Sequence, residues 1–85
     1  MYYLYILKSK IDNNLYIGST KYLRKRLMLH NTGEVYSTRK RKPFKLIYYE
    51  AFLAESDARH RESNLKLRSR AFAQLKIRIG GSINL

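Results

Sequence analysis

The chain opens with two tyrosine-rich stretches that are separated by a short run of turn-forming residues. YYLYILK at residues 2–8 and LYI at residues 15–17 are rich in residues that favour β-strands, and IDNN at residues 11–14 is typical of a tight turn. Two strands joined by so short a connection pair antiparallel. The start of the chain therefore predicts a β-hairpin, and Gly18 is expected to end its second strand.

The residues that follow predict a helix, a loop and a third strand. Leu23 and Leu27 lie four positions apart, as on one face of a helix that Ser19 or Thr20 would cap. Residues 34–43 are polar and basic, which favours an exposed loop. FKLIYYEAF at residues 44–52 predicts the third strand.

Two more helices are expected in the last third of the chain. Ser56 and Asp57 are typical of a helix start, and Phe72, Leu75 and Ile79 are spaced as on one side of a final helix. The element order is then ββαβαα. This order indicates an α+β fold in which helices pack on a small sheet.

Length and amino-acid usage limit what can stabilise this fold and where it works. The chain has 85 residues and no cysteine, so we expect one domain over residues 1–85 that folds by packing alone, without disulfides or a thiolate zinc site. No apolar run approaches the ~20 residues that span a bilayer, and the start lacks the pattern of a secretory signal. We therefore expect a cytoplasmic protein with no membrane partner.

Positive charge is concentrated in one part of the chain. The sequence carries 18 lysine and arginine residues against 6 acidic ones, a formal net charge of +12. Nine of the basic residues, but only one acid, lie between residues 21 and 45. Such a cluster attracts phosphate backbones through counterion release and predicts a nucleic-acid partner, although a solvated surface is the alternative. The residues expected to contact nucleic acid are Lys21, Arg24, Lys25, Arg39, Lys40, Arg41 and Lys42.

Two charged residues fall on helix faces that otherwise carry packing residues. Arg26 shares a face with two leucines and His30, and Glu62 shares a face of a later helix with Ala58 and Leu65. Charged groups at such positions need partners. One interpretation is a structural ion pair between Arg26 and Glu62, or side chains that extend to solvent. The other is a phosphate site, in which the arginine binds phosphoryl oxygens and the glutamate holds a divalent cation.

Five short segments follow one another along nearly the whole chain. They are YLYILKS at residues 3–9, YIGST at 16–20, LRKRLMLHN at 23–31, LIYYEAF at 46–52 and an A-x-x-x-E-x-x-L-K pattern at 58–66. Together they resemble the GIY-YIG nuclease domain, especially its small stand-alone bacterial members. The resemblance implies a three-stranded antiparallel sheet flanked by helices, and a phosphodiesterase that cleaves DNA with one divalent metal ion.

The resemblance also implies roles for single residues. Tyr5 and Tyr16 match the tyrosines of the family's two named motifs, with core packing as their alternative role. Tyr16 corresponds to the family's general base or water-orienting tyrosine. Arg26 matches the helix arginine that would bind the scissile phosphate, and Glu62 matches the metal-binding glutamate. The expected cofactor is one Mg²⁺ or Mn²⁺ ion on Glu62, because Mg²⁺ often uses only one or two carboxylates.

His30 competes with Tyr16 as the base. An ordinary imidazole titrates near ~6.5 and an ordinary phenol near ~10, so a tyrosine base needs nearby cations. His30 fits equally a site role and a structural role in which it orients water or caps a core polar contact. The catalytic set expected from the sequence is Tyr5, Tyr16, Arg26, His30 and Glu62.

Two classes of function follow from these features. The first is a metal-dependent DNA endonuclease that hydrolyses phosphodiester bonds in DNA repair or in the processing of particular DNA structures. The second is a catalytically inactive DNA- or RNA-binding module on the same scaffold. The joint presence of Tyr16, Arg26 and Glu62 favours the enzyme, because a lysine at position 62 would serve binding better than an acid. We expect weak sequence specificity, or specificity supplied by a protein partner or an unusual DNA structure.

Overall fold

Three strands and four helices form the fold. The computed structural model describes residues 1–85, apart from the side chain of Ser69. Its elements are β1 (Tyr2–Ser9), β2 (Leu15–Thr20), α1 (Leu23–Asn31), β3 (Phe44–Phe52), α2 (Glu55–Leu67), α3 (Ser69–Arg78) and α4 (Gly80–Ile83). The α+β fold and the ββαβαα order are confirmed, and the short α4 is an addition. Among the described residues, no helix is long and apolar enough to cross a membrane.

The predicted hairpin supplies two of the three strands, and β1 lies at the centre of the sheet. β1 pairs antiparallel with both β2 and β3, in the order β2-β1-β3. The β1–β2 turn is stabilised by the side chain of a turn-forming residue, as expected: the Asn14 N–H donates to Asp12 Oδ1 at 2.9 Å. Asn13 has a positive φ of 59°, which asparagine tolerates better than most residues.

The second strand does not end where the sequence predicted. β2 continues through Gly18 to Thr20, so the expectation that Gly18 ends it is wrong. Gly18 stands opposite Tyr5 in the register of the two strands, and the Tyr5 ring occupies the space that a side chain at position 18 would need. The glycine is therefore a packing requirement inside the strand and not a strand end.

Side chains of β1 alternate between two buried faces of the sheet. Leu4 and Ile6 belong to an apolar core against α2 and α3, and both are fully buried. Each such side chain contributes about 1.5–3 kcal/mol when it leaves water. Tyr5 and Leu7 point to the opposite face, which is covered by α1. That second face carries the polar groups described below.

The structure corrects the predicted cap of α1 and agrees with the loop predicted after it. The helix begins at Leu23, so neither Ser19 nor Thr20 is its cap, and Thr20 Oγ1 instead accepts the Tyr22 N–H at 3.0 Å in the turn before it. The segment 34–43 is the predicted turn-rich loop, and most of its residues are exposed. Thr38 is nevertheless 0% exposed, and its hydroxyl has a hydrogen-bonding partner in the interior, His30.

Candidate active site

Tyr5, Tyr16 and His30 form an aromatic cluster between the hairpin and α1. The ring centroids are 6.4 Å apart for Tyr5 and Tyr16, 5.9 Å for Tyr5 and His30, and 5.0 Å for Tyr16 and His30. Both tyrosines project from the hairpin toward α1, and His30 projects from the last turn of α1. The strand alternation and the helical spacing read from the sequence thus bring three of the five predicted residues together.

A side chain at Gly18 would collide with Tyr5. A Cβ at position 18 would lie 2.5 Å from both Tyr5 Cζ and Tyr5 Oη. Glycine therefore allows the Tyr5 ring to cross β2 and to bring its hydroxyl to His30.

Tyr5, His30 and Thr38 are joined by hydrogen bonds in the interior. Tyr5 Oη lies 3.0 Å from His30 Nε2, and His30 Nδ1 lies 2.7 Å from Thr38 Oγ1. Each of the three residues is at most 1% exposed. In the part of the chain that the structure describes, no buried side-chain nitrogen or oxygen lacks a partner. These contacts offset the cost of burying polar groups.

Burial sets the protonation of this cluster. Burial, followed by the positive charge of Arg26, lowers the pKa of His30 to about 4. Burial also raises the pKa of Tyr5, whereas the Arg26 guanidinium beside the hydroxyl lowers it. The imidazole and the phenol are therefore both neutral near pH 7.

Arg26 extends from α1 to the same cluster. Its side chain is half-buried, and its positive charge lowers the pKa of both Tyr5 and His30. No carboxylate among the described residues lies within 4.0 Å of the guanidinium, so the ion pair with Glu62 that the sequence allowed is not formed. A guanidinium held beside a phenol keeps donors for an anion.

Glu62 faces the hairpin from α2, and both of its carboxylate oxygens have partners. Ser19 Oγ donates to Oε1 at 2.5 Å, and Lys66 Nζ donates to Oε2 at 2.7 Å. Lys66 Nζ also lies 6.0 Å from the Tyr16 ring centroid, so it connects the glutamate to the aromatic cluster.

Sequence reasoning missed Ser19, Lys66 and Thr38 as neighbours of the site. Lys66 was detectable, because it lies one helical turn after Glu62. Ser19 was detectable only from the position of α2 over β2. Thr38 lies in an irregular turn, where no periodic pattern reports burial.

The donors around Glu62 fit a hard divalent cation. The glutamate side chain is 22% exposed, and its carboxylate and the Ser19 hydroxyl are oxygen donors of the kind that Mg²⁺ and Mn²⁺ prefer. Across the described residues there is no group of three or more His, Cys, Asp or Glu side chains that could hold a metal ion. A cation at this place would therefore rest on one protein carboxylate, with water and substrate oxygens as further ligands.

Two other acids near the sheet and α2 have structural partners. Glu50 accepts from Arg61 Nε at 3.0 Å and from the Tyr48 hydroxyl at 2.5 Å. Glu55 pairs with Arg59, one turn along α2, at 3.4 Å. Neither acid contacts the aromatic cluster through these bonds, which sets Glu62 apart.

One group of the predicted nucleic-acid contacts lines a groove beside α1. Lys21, Arg24 and Lys25 line an open groove of about 670 Å³, which Tyr3 and Tyr49 also line. All three cations are exposed. They give the start of α1 a positive surface.

The second group lies in the turn after α1, and its members differ. Arg39, Lys40 and Lys42 are exposed. Arg41 is instead 28% exposed, and its Nε donates to Asp12 Oδ2 at 2.8 Å. Its backbone carbonyl also accepts the Ser9 hydroxyl at 2.6 Å, so Arg41 fastens this turn to the hairpin.

Comparison with protein families and with individual proteins agrees with this arrangement. Residues 1–76 match the GIY-YIG catalytic domain. A UPF0213 protein of Clostridium perfringens is 46% identical over 67 residues, which cover 78% of this chain and 71% of that protein. A UPF0213 protein of Bacillus pumilus is 40% identical over 77 residues, which cover 89% of this chain and 78% of that protein.

A solved structure is similar to this chain over almost its full length. The solution NMR structure of a UPF0213 protein from Bacillus halodurans matches with a TM-score of 0.59 and 31% identity, and the match covers 99% of this chain and 93% of that chain. The fold, the clustered tyrosines and the sequence relatives therefore agree. This chain belongs to the GIY-YIG catalytic-domain family.

Proposed function

We propose that the protein is a divalent-metal-dependent endonuclease that hydrolyses phosphodiester bonds in DNA. The observation that carries the proposal is the convergence of residues from β1, β2, α1 and α2 at one place. Tyr5, Tyr16 and His30 form one cluster, Lys66 lies between Glu62 and the Tyr16 ring, and the positive charge of Arg26 lowers the pKa of Tyr5 and His30. A phosphoryl-binding cation, a phenol and a carboxylate are thus adjacent, as hydrolysis of a phosphodiester requires.

Arg26 is the group that we assign to the scissile phosphate. Its guanidinium is half-buried beside Tyr5 and has only donors, in a planar fork that suits two phosphate oxygens. Charge that develops on those oxygens in the transition state strengthens these bonds.

Tyr16 is the group that we assign to the attacking water. Its side chain is half-buried, whereas Tyr5 is 1% exposed and His30 is 0% exposed. His30, with a pKa of about 4, is a weak base, and its Nε2 is already engaged by Tyr5. Lys66 Nζ lies 6.0 Å from the Tyr16 ring centroid and places a positive charge beside this tyrosine. We therefore assign His30 to holding Tyr5.

Glu62 is the residue that we assign to the metal, with Ser19 holding the carboxylate through Oε1. When bound there, Mg²⁺ or Mn²⁺ supplies positive charge to the phosphate oxygens and to the leaving oxygen. Glu50 and Glu55, the other acids near the sheet and α2 with described ion pairs, are engaged by Arg61 and Arg59.

The positive surfaces support DNA as the substrate. The groove beside α1 and the turn after it present six exposed cations: Lys21, Arg24, Lys25, Arg39, Lys40 and Lys42. These contacts are to phosphates and carry no sequence information, so RNA remains a competitor and a protein partner could supply targeting. Cytoplasmic location and a role in DNA repair or structure processing stay predictions of the sequence.

One observation favours the second candidate, a nucleic-acid-binding module without activity. Both oxygens of Glu62 are engaged within the protein, by Ser19 and by Lys66. In a binding module the Glu62–Lys66 pair would have only a structural role, which is worth about 0.3–0.5 kcal/mol for an exposed pair at this spacing.

Cleavage of supercoiled plasmid separates the two candidates. The wild type is expected to nick the plasmid with Mg²⁺ or Mn²⁺ and not with EDTA. Glu62→Gln should abolish nicking at every metal concentration while DNA affinity holds or rises, because a negative charge near the phosphate is removed.

Glu55→Gln is the matched control, since Glu55 is an acid on the same helix with an exposed side chain and an ion pair of the same spacing. It should nick like the wild type. A folded Glu62→Gln protein that nicks normally would remove Glu62 from the mechanism. A wild type that binds DNA but never nicks it would establish the binding module.

A further inference from the structure

α1 covers only part of the sheet face that carries the aromatic cluster. Leu23 and Leu27 of this helix pack against the buried group that contains Tyr5. Tyr3 lies two residues before Tyr5 on β1, and Tyr49 of β3 is paired with Tyr5 in the strand register, so all three rings belong to one face. Tyr5 is 1% exposed, but Tyr49 is 54% exposed. One end of this face is therefore open to solvent.

The groove beside α1 includes this open part of the sheet face. Besides Tyr3 and Tyr49, its lining contains Tyr22, which is 63% exposed, and three leucine side chains. Its volume of about 670 Å³ lies within the range of roughly 300–1,000 Å³ that is typical of ligand sites. Aromatic and apolar surface that is exposed in a concave place and bordered by charged residues is a mark of a binding site.

The two sheet tyrosines hold each other in place. The ring centroids of Tyr3 and Tyr49 are 5.8 Å apart with an interplanar angle of 65°, an edge-to-face pair of the kind that aromatic rings favour. Both rings stand on neighbouring strands of the sheet. A ligand that stacks on a ring already fixed in this way orders few further side chains, so little conformational entropy opposes its binding.

Cations lie along the same groove. Lys21, Arg24 and Lys25 are part of its lining and are exposed, and Lys21 Nζ lies 5.9 Å from the Tyr22 ring centroid. Aromatic rings interleaved with cations are typical of sites for single-stranded nucleic acid, in which bases stack on the rings and the cations follow the backbone. A base inside a duplex is stacked on its neighbours, so only an unpaired base can lie against a protein ring.

We propose that this groove is a subsite for an unpaired nucleobase, which stacks on Tyr49 while Lys21, Arg24 and Lys25 hold the phosphates on either side of it. The subsite borders the aromatic cluster, because Tyr49 is paired with Tyr5 and neighbouring strands lie about 4.8 Å apart. Its link to cleavage rests on the proposed function, for which it names the substrate class: DNA with an unpaired nucleotide next to the cleaved bond.

The experiment measures binding by fluorescence anisotropy in EDTA, so that no cleavage is needed. Three labelled probes are used: a single DNA strand, the blunt duplex of the same sequence, and a strand of the same length whose central nucleotides lack their bases. The wild type is compared with Tyr49→Ala, Tyr49→Phe, Tyr22→Ala and the matched control Tyr36→Ala. Tyr36 is an 80% exposed tyrosine in the turn after α1 and does not line the groove.

The wild type is expected to bind the single strand more tightly than the abasic strand. Tyr49→Ala should lower the affinity for the single strand by about 5- to 150-fold, as for the loss of one stacked base, and should leave the abasic strand unaffected. Tyr22→Ala should act in the same direction. Tyr49→Phe should keep the wild-type values, since a phenyl ring also stacks, and Tyr36→Ala should keep the wild-type ratio between the two strands.

Several results would overturn the proposal. One is equal affinity of the wild type for the single strand and the abasic strand, and another is a folded Tyr49→Ala protein with wild-type affinity for the single strand. An equal loss of affinity for the blunt duplex would mean that no unpaired base is involved. A wild-type dimer that Tyr49→Ala abolishes would assign the groove to a second copy of the chain. If Tyr49→Ala shows no melting transition, Tyr22→Ala decides in its place.

Failure of the subsite and failure of the proposed function are distinguishable. If the wild type never nicks DNA with any metal, the proposed function fails, whereas the comparison of the single strand with the abasic strand still decides the subsite. If the wild type nicks DNA but does not distinguish these two strands, the proposed function stands and the subsite is wrong.

Discussion

The polar side chains around α1 form two layers that differ in their access to solvent. The inner layer is buried and consists of Tyr5, His30 and Thr38. The outer layer borders solvent and consists of Tyr16, Arg26, Glu62 and Lys66. In the inner layer the hydrogen bonds run between its own members and the backbone. The outer layer keeps donors and oxygens that can change partners.

This difference suggests that the inner layer fixes the geometry of the site and that the outer layer contacts ligands. Buried hydrogen bonds are costly to break, because a group left without a partner loses about 1–3 kcal/mol, so the inner layer has one stable arrangement. Exposed pairs such as Glu62–Lys66, with side chains 22% and 47% exposed, contribute little and can be exchanged for a ligand. Changes in the outer layer should therefore alter rates, and changes in the inner layer should alter stability as well.

The largest effect is expected from Arg26 in the outer layer. Arg26→Lys keeps the charge but removes the planar fork, so nicking should slow by about 10²–10³-fold, whereas DNA affinity and melting temperature stay near the wild-type values. Single-turnover rates and anisotropy titrations on the same preparation measure this. Arg24→Lys, on the exposed side of α1, should have a smaller effect, and the reverse order of the two variants would contradict the assignment of Arg26.

The next largest effect is a loss of stability at acidic pH, which arises from His30 in the inner layer. The unfolded chain protonates His30 near ~6.5, but the folded protein does so only at about pH 4, so protons bind the unfolded state first as the pH falls. The free energy of unfolding should therefore fall between pH 6.5 and 4, by up to about 3 kcal/mol from this residue. His30→Gln should lack that part of the decrease in urea titrations at pH 7 and 4.5.

His60→Gln is the control for this pH dependence. His60 is exposed on α2, so its removal should leave the acid-induced loss of stability as in the wild type. Equal pH dependence in the wild type and His30→Gln would mean that the imidazole is not held neutral by burial.

The smallest effect is expected where the inner layer meets the sheet. Gly18→Ala places a Cβ 2.5 Å from the Tyr5 ring, and Tyr5 cannot yield freely because it is 1% exposed and bonded to His30. Overpacking of this kind costs about 1–3 kcal/mol, which urea unfolding would detect, and nicking should fall with it. Gly81→Ala, with nothing within 4 Å of its Cβ, is the matched control, and equal stability of the two variants would contradict the packing role of Gly18.

Regular elements were predictable because their side-chain periods report which face is buried. The tyrosine-rich stretch became β1 (Tyr2–Ser9), and the predicted third strand matches β3 (Phe44–Phe52). The shared helical face of Arg26 and His30 and the inward face of Glu62 are likewise present. Their catalytic and metal-binding roles stay predictions.

Errors arose where one residue's role depends on a distant neighbour. Gly18 looked like a strand end, because the reason for a glycine there is the Tyr5 ring on the adjacent strand. The sequence also did not show that Arg41 pairs with Asp12 from the hairpin turn, and its contact with nucleic acid stays a prediction. In both cases the partner is close in space and distant along the chain.

The order of apolar and turn-forming residues was sufficient to predict a three-stranded α+β fold, because strand and helix periods are properties of the chain itself. The strongly positive surface was predictable for the same reason, since net charge follows from the sequence. Which charges pair and which remain open to a ligand was decided only by packing. Because α2 lies over β2, the Glu62 carboxylate accepts hydrogen bonds from Ser19 and Lys66. Arg26 forms no ion pair and lies near Tyr5. The fold of the turn after α1 buries Thr38 against His30, since hydrogen bonds act over about 3 Å and depend on tertiary contacts that no local pattern encodes.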